Sequence, residues 1–482
     1  MYAREANYSR YYCQYLKREK KVKAGRRLLA LTLAVTIIGS TAAIAQEIPK
    51  LSAWLAADDI EAMNEDVVTE AEFIKDVSAG ESVVVEEIAE NPAGTEVIAG
   101  TETPVVFVDA GHGGEDEGCA RDGVQEKVIN LEIAKLVQSR LEELGYEVVM
   151  AREDDTYIAK EDRVVAANQA QADIYISIHQ NASEINDASG IEVWYDGTDT
   201  SRDSKRLAQL MWQQTMISTG TDMRELRGDA DFHVTGKTTM PACLVECGFL
   251  SNTDERLKLD TPEYREQIAA GIVQGIEYYF HPKTMYLTFD DGPSEENTAR
   301  VLDILKERNI KATFFLIGEN VRNHPEMAQR IVAEGHTIGI HCYNHDYEKV
   351  YESVESYIQD FETARQTVYE VTGVDAKLFR FPGGSINAYN KGVSDEIIEK
   401  MTEMGYIYYD WNASMEDAVK DPDPEILITN GLSSTLGRKK VVMLAHDVVY
   451  TTGICLERML DGLPEYEMKP LSEEVTPIQF NR

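Results

Sequence analysis

The chain has 482 residues, room for roughly two to four domains, and its hydrophobic content of 43% suffices for packed cores. It carries 47 basic against 84 acidic residues, a formal charge of −37. That balance argues against nucleic acid or an anionic surface as the main partner, because the phosphate term would be repulsive. The six cysteines are scattered, and Cys243 and Cys247 lie four steps apart on a predicted strand. That separation is roughly 13 Å, too far for a disulfide.

In chain order, residues 1–27 end in the basic block "KREKKVKAGRR", and residues 28–45 form the apolar run "LLALTLAVTIIGSTAAIA". A charged flank, an apolar stretch and the small-residue triplet Ala43-Ile44-Ala45 make a signal peptide or a membrane anchor. The long basic flank favours the anchor and the triplet favours cleavage. Either outcome puts the remaining chain outside the cytoplasm, with the membrane as a partner if the segment is retained. Residues 46–103 contain only Lys50 and Lys75 as basic residues and read as an acidic, solvated spacer.

At Pro104 the texture changes. "VVFVDAGHGG" is a strand ending in glycines, and the next helix places Ile129, Ile133, Leu136, Val137, Leu141 and Leu144 on one face. "YEVVMAR", "ADIYISIHQNA", "GIEVWYDG" and "PACLVECGF" are strands interleaved with helices over "DRVVAANQAQ" and "SKRLAQLMWQQTM", and a helix reaches Phe280. The alternation predicts a mainly parallel sheet covered by helices over 104–281. A second α/β series occupies 283–482, with almost no linker at "YYFHPKTMYL" and no repeat of the first. Its strands are "MYLTFDD", "ATFFLIG", "TIGIHCYNH", "KLFRFPGG", "IYYDWNAS" and "VVMLAHD". The short polar tail after "AHD" predicts a reduced final element.

In the first series His112, His179 and Glu246 end three strands, and ligands of open α/β sheets bind at that edge. Glu126 is expected near a helix start, where the helix dipole favours a carboxylate. A lone His after a strand is more often a surface residue, but Glu246 sits in the apolar run "ACLVECGFL", where an unpaired charge is costly. Two imidazoles and a carboxylate leave a position open, the layout of a catalytic zinc site, and a second carboxylate beside it could take a proton from water. "DAGHGG", Glu126, "SIHQN" and "LVECGFLSN" resemble, in order, the zinc-dependent N-acetylmuramoyl-L-alanine amidases of bacterial cell walls. The resemblance implies that His112, Glu126 and His179 bind Zn2+ and that Glu246 is the catalytic acid/base. It also implies cleavage of the amide between the muramic acid lactyl group and the stem peptide. Family members often carry a segment that occludes the cleft until a protein activator binds, and neither "RELRGDADFHVTG" nor the spacer identifies itself as one.

In the second series "TFDDGP" ends a strand in two adjacent acids, Asp290 and Asp291. Successive strand side chains point to opposite faces, so a turn at Gly292 is expected to bring both to one site. His341 and His345 are four apart in "HCYNH" and can converge on one ion if that segment coils. His446 in "MLAHD" could protonate a leaving amine, and Arg380 and Asp410 are charges in apolar contexts that must find partners. These motifs, with "RFPGG", "DW" and "LAH", resemble the polysaccharide deacetylases, or NodB-homology domains. The resemblance implies a distorted (β/α) barrel, with Asp290 as base and His446 as acid. Asp291, His341 and His345 would hold a divalent metal, Zn2+ first, with Co2+ or Mn2+ as alternatives. Arg380 and Asp410 would orient and tune Asp290. Cys342 departs from the family's usual Ser or Thr, which puts metal affinity in question.

Together the two halves imply a bifunctional peptidoglycan enzyme at the cell wall that removes stem peptides and then N-acetyl groups, in sequence on one muramic acid. The alternatives are a wall-binding role for one half, or deacetylation of another N-acetylated glycan.

Overall fold

The computed structural model describes residues 103–185, 187–221, 223–228 and 232–480. The expectations for the N-terminal segment and spacer lie outside the described residues. Among these residues no helix is long and apolar enough to cross a membrane.

The first half is a six-stranded sheet in the order β4-β1-β5-β8-β6-β7. The strands are β1 (Val105–Ala110), β4 (Glu147–Met150), β5 (Ile174–Asn181), β6 (Ile191–Trp194), β7 (Met223–Arg227) and β8 (Ala242–Phe249), with a small hairpin of β2 (Ala120–Arg121) and β3 (Val124–Gln125). Only the β6–β8 pairing is antiparallel within the six strands. Alternation along β1 sends Val106, Val108 and Ala110 to one face and Phe107 to the other. The first face is covered by helices Glu126–Glu143, Ser204–Thr219 and Pro262–Phe280, and the second by Lys160–Gln169 and the single turn His233–Gly236. The β2–β3 hairpin and β7 have no counterpart in the sequence reading. Part of the segment weighed as an occluder is thus an edge strand.

The second half is an eight-stranded, all-parallel curled sheet, open between β13 and β14. Its strands are β9 (Lys283–Asp290), β10 (Thr313–Ile317), β11 (Thr337–Cys342), β12 (Leu378–Phe379), β13 (Ile407–Tyr408), β14 (Ala413–Ser414), β15 (Lys440–His446) and β16 (Tyr466–Lys469). Helices, among them Asn297–Glu307 and Val354–Thr372, cover its outer face through residues such as Val301 and Phe361. The predicted strand "IYYDWNAS" breaks in two because the Asp410 amide leaves the sheet to donate to Ile478 O, at 2.8 Å.

The expectation of a reduced final element is corrected. After β15 come the helix Tyr450–Asp461 and β16, which pairs with the first half of β9 while β10 pairs with the second. The last residues then pack Leu471, Val475 and Ile478 against Phe315, Tyr409 and Val442 on the inner face. A polar composition hid these few spaced apolar anchors.

The two halves meet without a linker. Arg206 donates to the carbonyls of Pro464, Tyr278 and Tyr279, and Gln213 donates to Gly462 O.

His336, just before β11, is buried against Phe314, accepts the Ala312 amide on Nδ1 and has no partner at Nε2. Burial, with the Lys311 and Arg330 charges, lowers its pKa to about 4 against a weaker pull from Glu334. The folded protein therefore holds His336 neutral while the unfolded chain takes up a proton below its ordinary pKa of about 6.5. Stability from this residue is present above that pH and is lost as pH falls towards 4, by on the order of 2 kcal/mol. The drop in melting temperature between pH 7 and pH 5 is expected to be smaller in His336→Gln than in the native chain.

Candidate active sites

In the first sheet β1, β5 and β8 are neighbours, so their carboxyl ends share one edge. His179 and Glu246 are direct register partners on β5 and β8. His112 follows β1 in the left-handed backbone region, φ 63°, rare for a residue with a side chain. Glu126 is the first residue of its helix, as expected. Its Oε1 lies 3.2 Å from His112 Nε2 and 3.0 Å from His179 Nδ1, and the three ligand atoms fall within 4.8 Å of one another. The Asp116 carboxylate accepts from His112 Nδ1–H at 2.9 Å, leaving Nε2 free to act as a ligand. Gly118 is held against this group, since a Cβ there would lie 2.4 Å from Glu126 Oε2.

Burial alone would raise the Glu126 pKa, but the hydrogen bonds and charges of His112 and His179 win and lower it. Burial also opposes a charged His112, yet Glu126 and Asp116 raise its pKa. Glu246 differs. Burial, then the Glu126 and Glu192 carboxylates, push it well above the carboxylate range, and its Oε2 has no hydrogen-bond partner. A carboxyl with raised proton affinity beside a ligand group is suited to taking up and returning a proton.

These residues line a cavity of about 730 Å³, whose walls include Arg121, Lys160 and Phe232. Sequence reasoning missed Glu192, the antiparallel partner of Glu246, whose carboxylate is held by Arg224 and by Asn181 at 2.8 Å. It also missed Arg152 and Arg163, which donate to the carbonyls of Ala110, Gly111 and His112.

In the second sheet β9 is central, and Asp290 at its end faces His446 of β15 in register. The expected turn begins one residue earlier than Gly292: Asp291 itself is left-handed, φ 76°. Gly292 supplies space, because a Cβ there would lie 2.2 Å from Asp447 Oδ2. Asp291 Oδ1 is buried without a hydrogen-bond partner and faces His341 Nε2 at 3.4 Å and His345 Nε2 at 3.5 Å. His341 donates Nδ1–H to Arg380 O at 2.9 Å, and burial lowers its pKa, so its Nε2 lone pair is available. His345 is left-handed, φ 59°, in the loop after β11. The buried Cys342 lies beside the His345 amide, the support position left in question by the sequence.

Asp290 receives the Arg380 guanidinium at 2.9 Å. Asp410 reaches Arg380 only through its backbone carbonyl, at 3.2 Å. Its carboxylate accepts from Ser385 N, Ser385 Oγ and Phe480 N instead. His446 Nε2 is 4.0 Å from Asp291 Oδ2, and its Nδ1–H donates at 2.7 Å to Asp417, a buried residue the sequence reading missed. Burial lowers the His446 pKa, but Asp417 and then the Asp290 and Asp291 charges raise it to about 9. An isolated Asp in "MEDAVK" carried no signal that it would reach back to β15.

The chain therefore holds two groups of one carboxylate and two imidazoles, each with a further ionisable residue beside it, at the carboxyl edges of two sheets. Residues 106–278 match the family of N-acetylmuramoyl-L-alanine amidases, and residues 278–408 match the polysaccharide deacetylases. The germination-specific N-acetylmuramoyl-L-alanine amidase of Bacillus subtilis is 32% identical over 37% of this chain and 81% of its own length. The peptidoglycan-N-acetylglucosamine deacetylase of Bacillus cereus is 33% identical over 41% of this chain and 73% of its own. An amidase structure from Clostridium difficile is 39% identical, covering 37% of this chain and 98% of that one, with a TM-score of 0.36. The chain spans only 40% of the length of another curated relative, the amidase LytC of Bacillus subtilis. The chain belongs to both families, one in each half, and is a hydrolase of the peptidoglycan-modifying kind.

The donor sets fit divalent cations: two imidazole nitrogens with one carboxylate each, and in the second an orphaned buried oxygen, Asp291 Oδ1. Elemental analysis of the purified chain is expected to find two equivalents. Glu126→Gln should cost one of them and His345→Ala the other.

Proposed function

We propose that the protein is a metal-dependent, two-site peptidoglycan hydrolase acting outside the cytoplasm. The first site cuts the N-acetylmuramoyl-L-alanine amide and the second removes N-acetyl groups from the glycan. The observation that supports this most directly is the placement of a further carboxyl group at a strand end beside each potential metal group, Glu246 in one half and Asp290 in the other. The N-terminal basic and apolar segments fit delivery across, or anchoring to, the membrane.

Both reactions are amide hydrolyses. A cation at either site would supply Lewis acidity towards the amide carbonyl and make water more acidic. His112, Glu126 and His179 would hold it in the first half, Asp291, His341 and His345 in the second. In the first half, Glu246 takes a proton from the attacking water and returns it to the leaving nitrogen, with its raised proton affinity suited to both steps. In the second half the two tasks are divided. Asp290, paired with the Arg380 guanidinium, takes the proton from water. His446, kept protonated by Asp417, donates to the departing amine.

Sequential action is the finer part of the proposal. The bonds of Arg206 and Gln213 across the junction hold the two halves together, which supports their acting on one strand, and the proposed order is stripping of the peptide first and deacetylation second. Deacetylation is then expected to run faster on peptide-free glycan than on peptide-bearing glycan, and equal rates by mass analysis of the fragments would rule the order out.

Glu246→Ala is expected to lower release of stem peptides about 10³-fold while sparing acetate release from peptide-free glycan, and Asp290→Asn to lower acetate release from that glycan while sparing stem-peptide release. A single mutation that abolished both products would contradict two independent sites. Asp417→Asn leaves Asp290 and the ligand group intact, so its expected effect is a 10²-fold or so loss in deacetylation kcat with metal content retained.

A further inference from the structure

Beside the second site lies an aromatic surface that the chemistry above does not use. Tyr347 meets the His345 ring edge-on at 4.8 Å, and its own ring stacks on Tyr389 at 4.8 Å with the planes 25° apart. Tyr389 is 55% exposed. Two ring-to-ring steps therefore lead from a ligand-type histidine to an open aromatic face.

The loop that carries Tyr389 is braced. Asn387 donates to the carbonyls of Pro382 and Gly384, and Asn390 donates to those of Gly384 and Ser385. The Asn387 oxygen accepts the amides of Tyr389 and Asn390, and Tyr351 OH donates to Pro382 O at 2.8 Å. Gly383, φ +71°, makes room for the stack, since a Cβ there would sit 3.1 Å from Tyr347. Fixing the loop in advance means that little conformational freedom is lost when something docks on the ring.

We propose that Tyr389, braced on Tyr347, is a glycan subsite that stacks under the sugar next to the one reacting at Asp290. The apolar C–H face of a pyranose ring matches an exposed aromatic face while its hydroxyls stay in water. The subsite makes the second site selective for oligomers over single sugars. It rests on the deacetylase reading of that site.

The test uses the full zinc-loaded chain in an Asp290→Asn background, which holds substrate without turnover. Binding of the N-acetylglucosamine tetramer and monomer is measured by calorimetry. With Tyr389→Ala the ratio of tetramer to monomer affinity is expected to fall about tenfold, as for an aromatic anchor, and with Tyr389→Trp to recover. A ratio indifferent to both substitutions overturns the subsite, and so does a fall that Trp fails to restore while the melting temperature holds. Acetate release from peptidoglycan by the native chain is scored separately. Its absence overturns the deacetylase reading and the subsite with it, whereas release with an unaltered ratio overturns the subsite alone.

Discussion

The Arg380 guanidinium has no exposure to solvent, and the second active site is arranged around what a fully buried cation requires. Such a charge is tolerated only when most of its donors are met and a counter-charge is near. Arg380 meets this with Asp290, Thr288 Oγ1 and the carbonyls of Tyr409 and Asp410. Two partners lie on β9 and two follow β13, so one side chain ties those two segments together. Its own carbonyl then accepts from His341 and sets that ring's orientation. Asp290 and His341 are thereby positioned by one buried residue, with Phe315 under its guanidinium, 4.4 Å from the ring centroid.

The first half reaches the same end with different parts. Arg163 pairs with the buried Asp109, which also accepts from Tyr175 and Ser177, and the same guanidinium holds Ala110 O and His112 O. Arg152 takes Ala110 O, Gly111 O and Lys127 O. These carbonyls belong to the end of β1, to the glycine-rich loop that leaves the sheet edge there and, for Lys127, to the first turn of the helix that follows. Without the two arginines His112 would have no reason to keep a left-handed backbone. In the other half two residues of the ligand group, Asp291 and His345, share that backbone conformation. Strained geometry thus recurs where ligand atoms must converge, and buried charge holds it in place.

This division explains what the sequence disclosed. Strand ends carrying His, Asp or Glu are readable because an apolar run that stops on a polar residue is a local pattern. Hence His112, His179, Glu246, Asp290, Asp291 and His341 were all placed at the sheet edges where they lie. The supporting contacts are long-range. Asp417 meets His446 across 29 positions, and Arg163 meets Asp109 across 54. No periodicity records such a pairing. Asp410 shows the limit from the other side: its importance was legible from its apolar context, but its carboxylate went to Ser385 and Phe480. The second partner belongs to a polar-looking tail whose packing could not be read from composition.

Joining the two halves has a consequence that neither site has alone. Peptidoglycan is a polymer, so a chain held by one site presents its neighbouring units to the other at a concentration set by the tether and not by diffusion. A flexible linker would spread that advantage over many geometries. Here helix Pro262–Phe280 runs into β9 across His281 and Pro282, and Arg206 and Gln213 fasten helix Ser204–Thr219 to the turn before β16. The same turn feeds the strand that pairs with β9, the strand ending in Asp290. Through this route the packing that stabilises the amidase half also anchors the backbone carrying Asp290. On the proposed reading, that shared strand gives the two reactions a structural reason to reside in one chain.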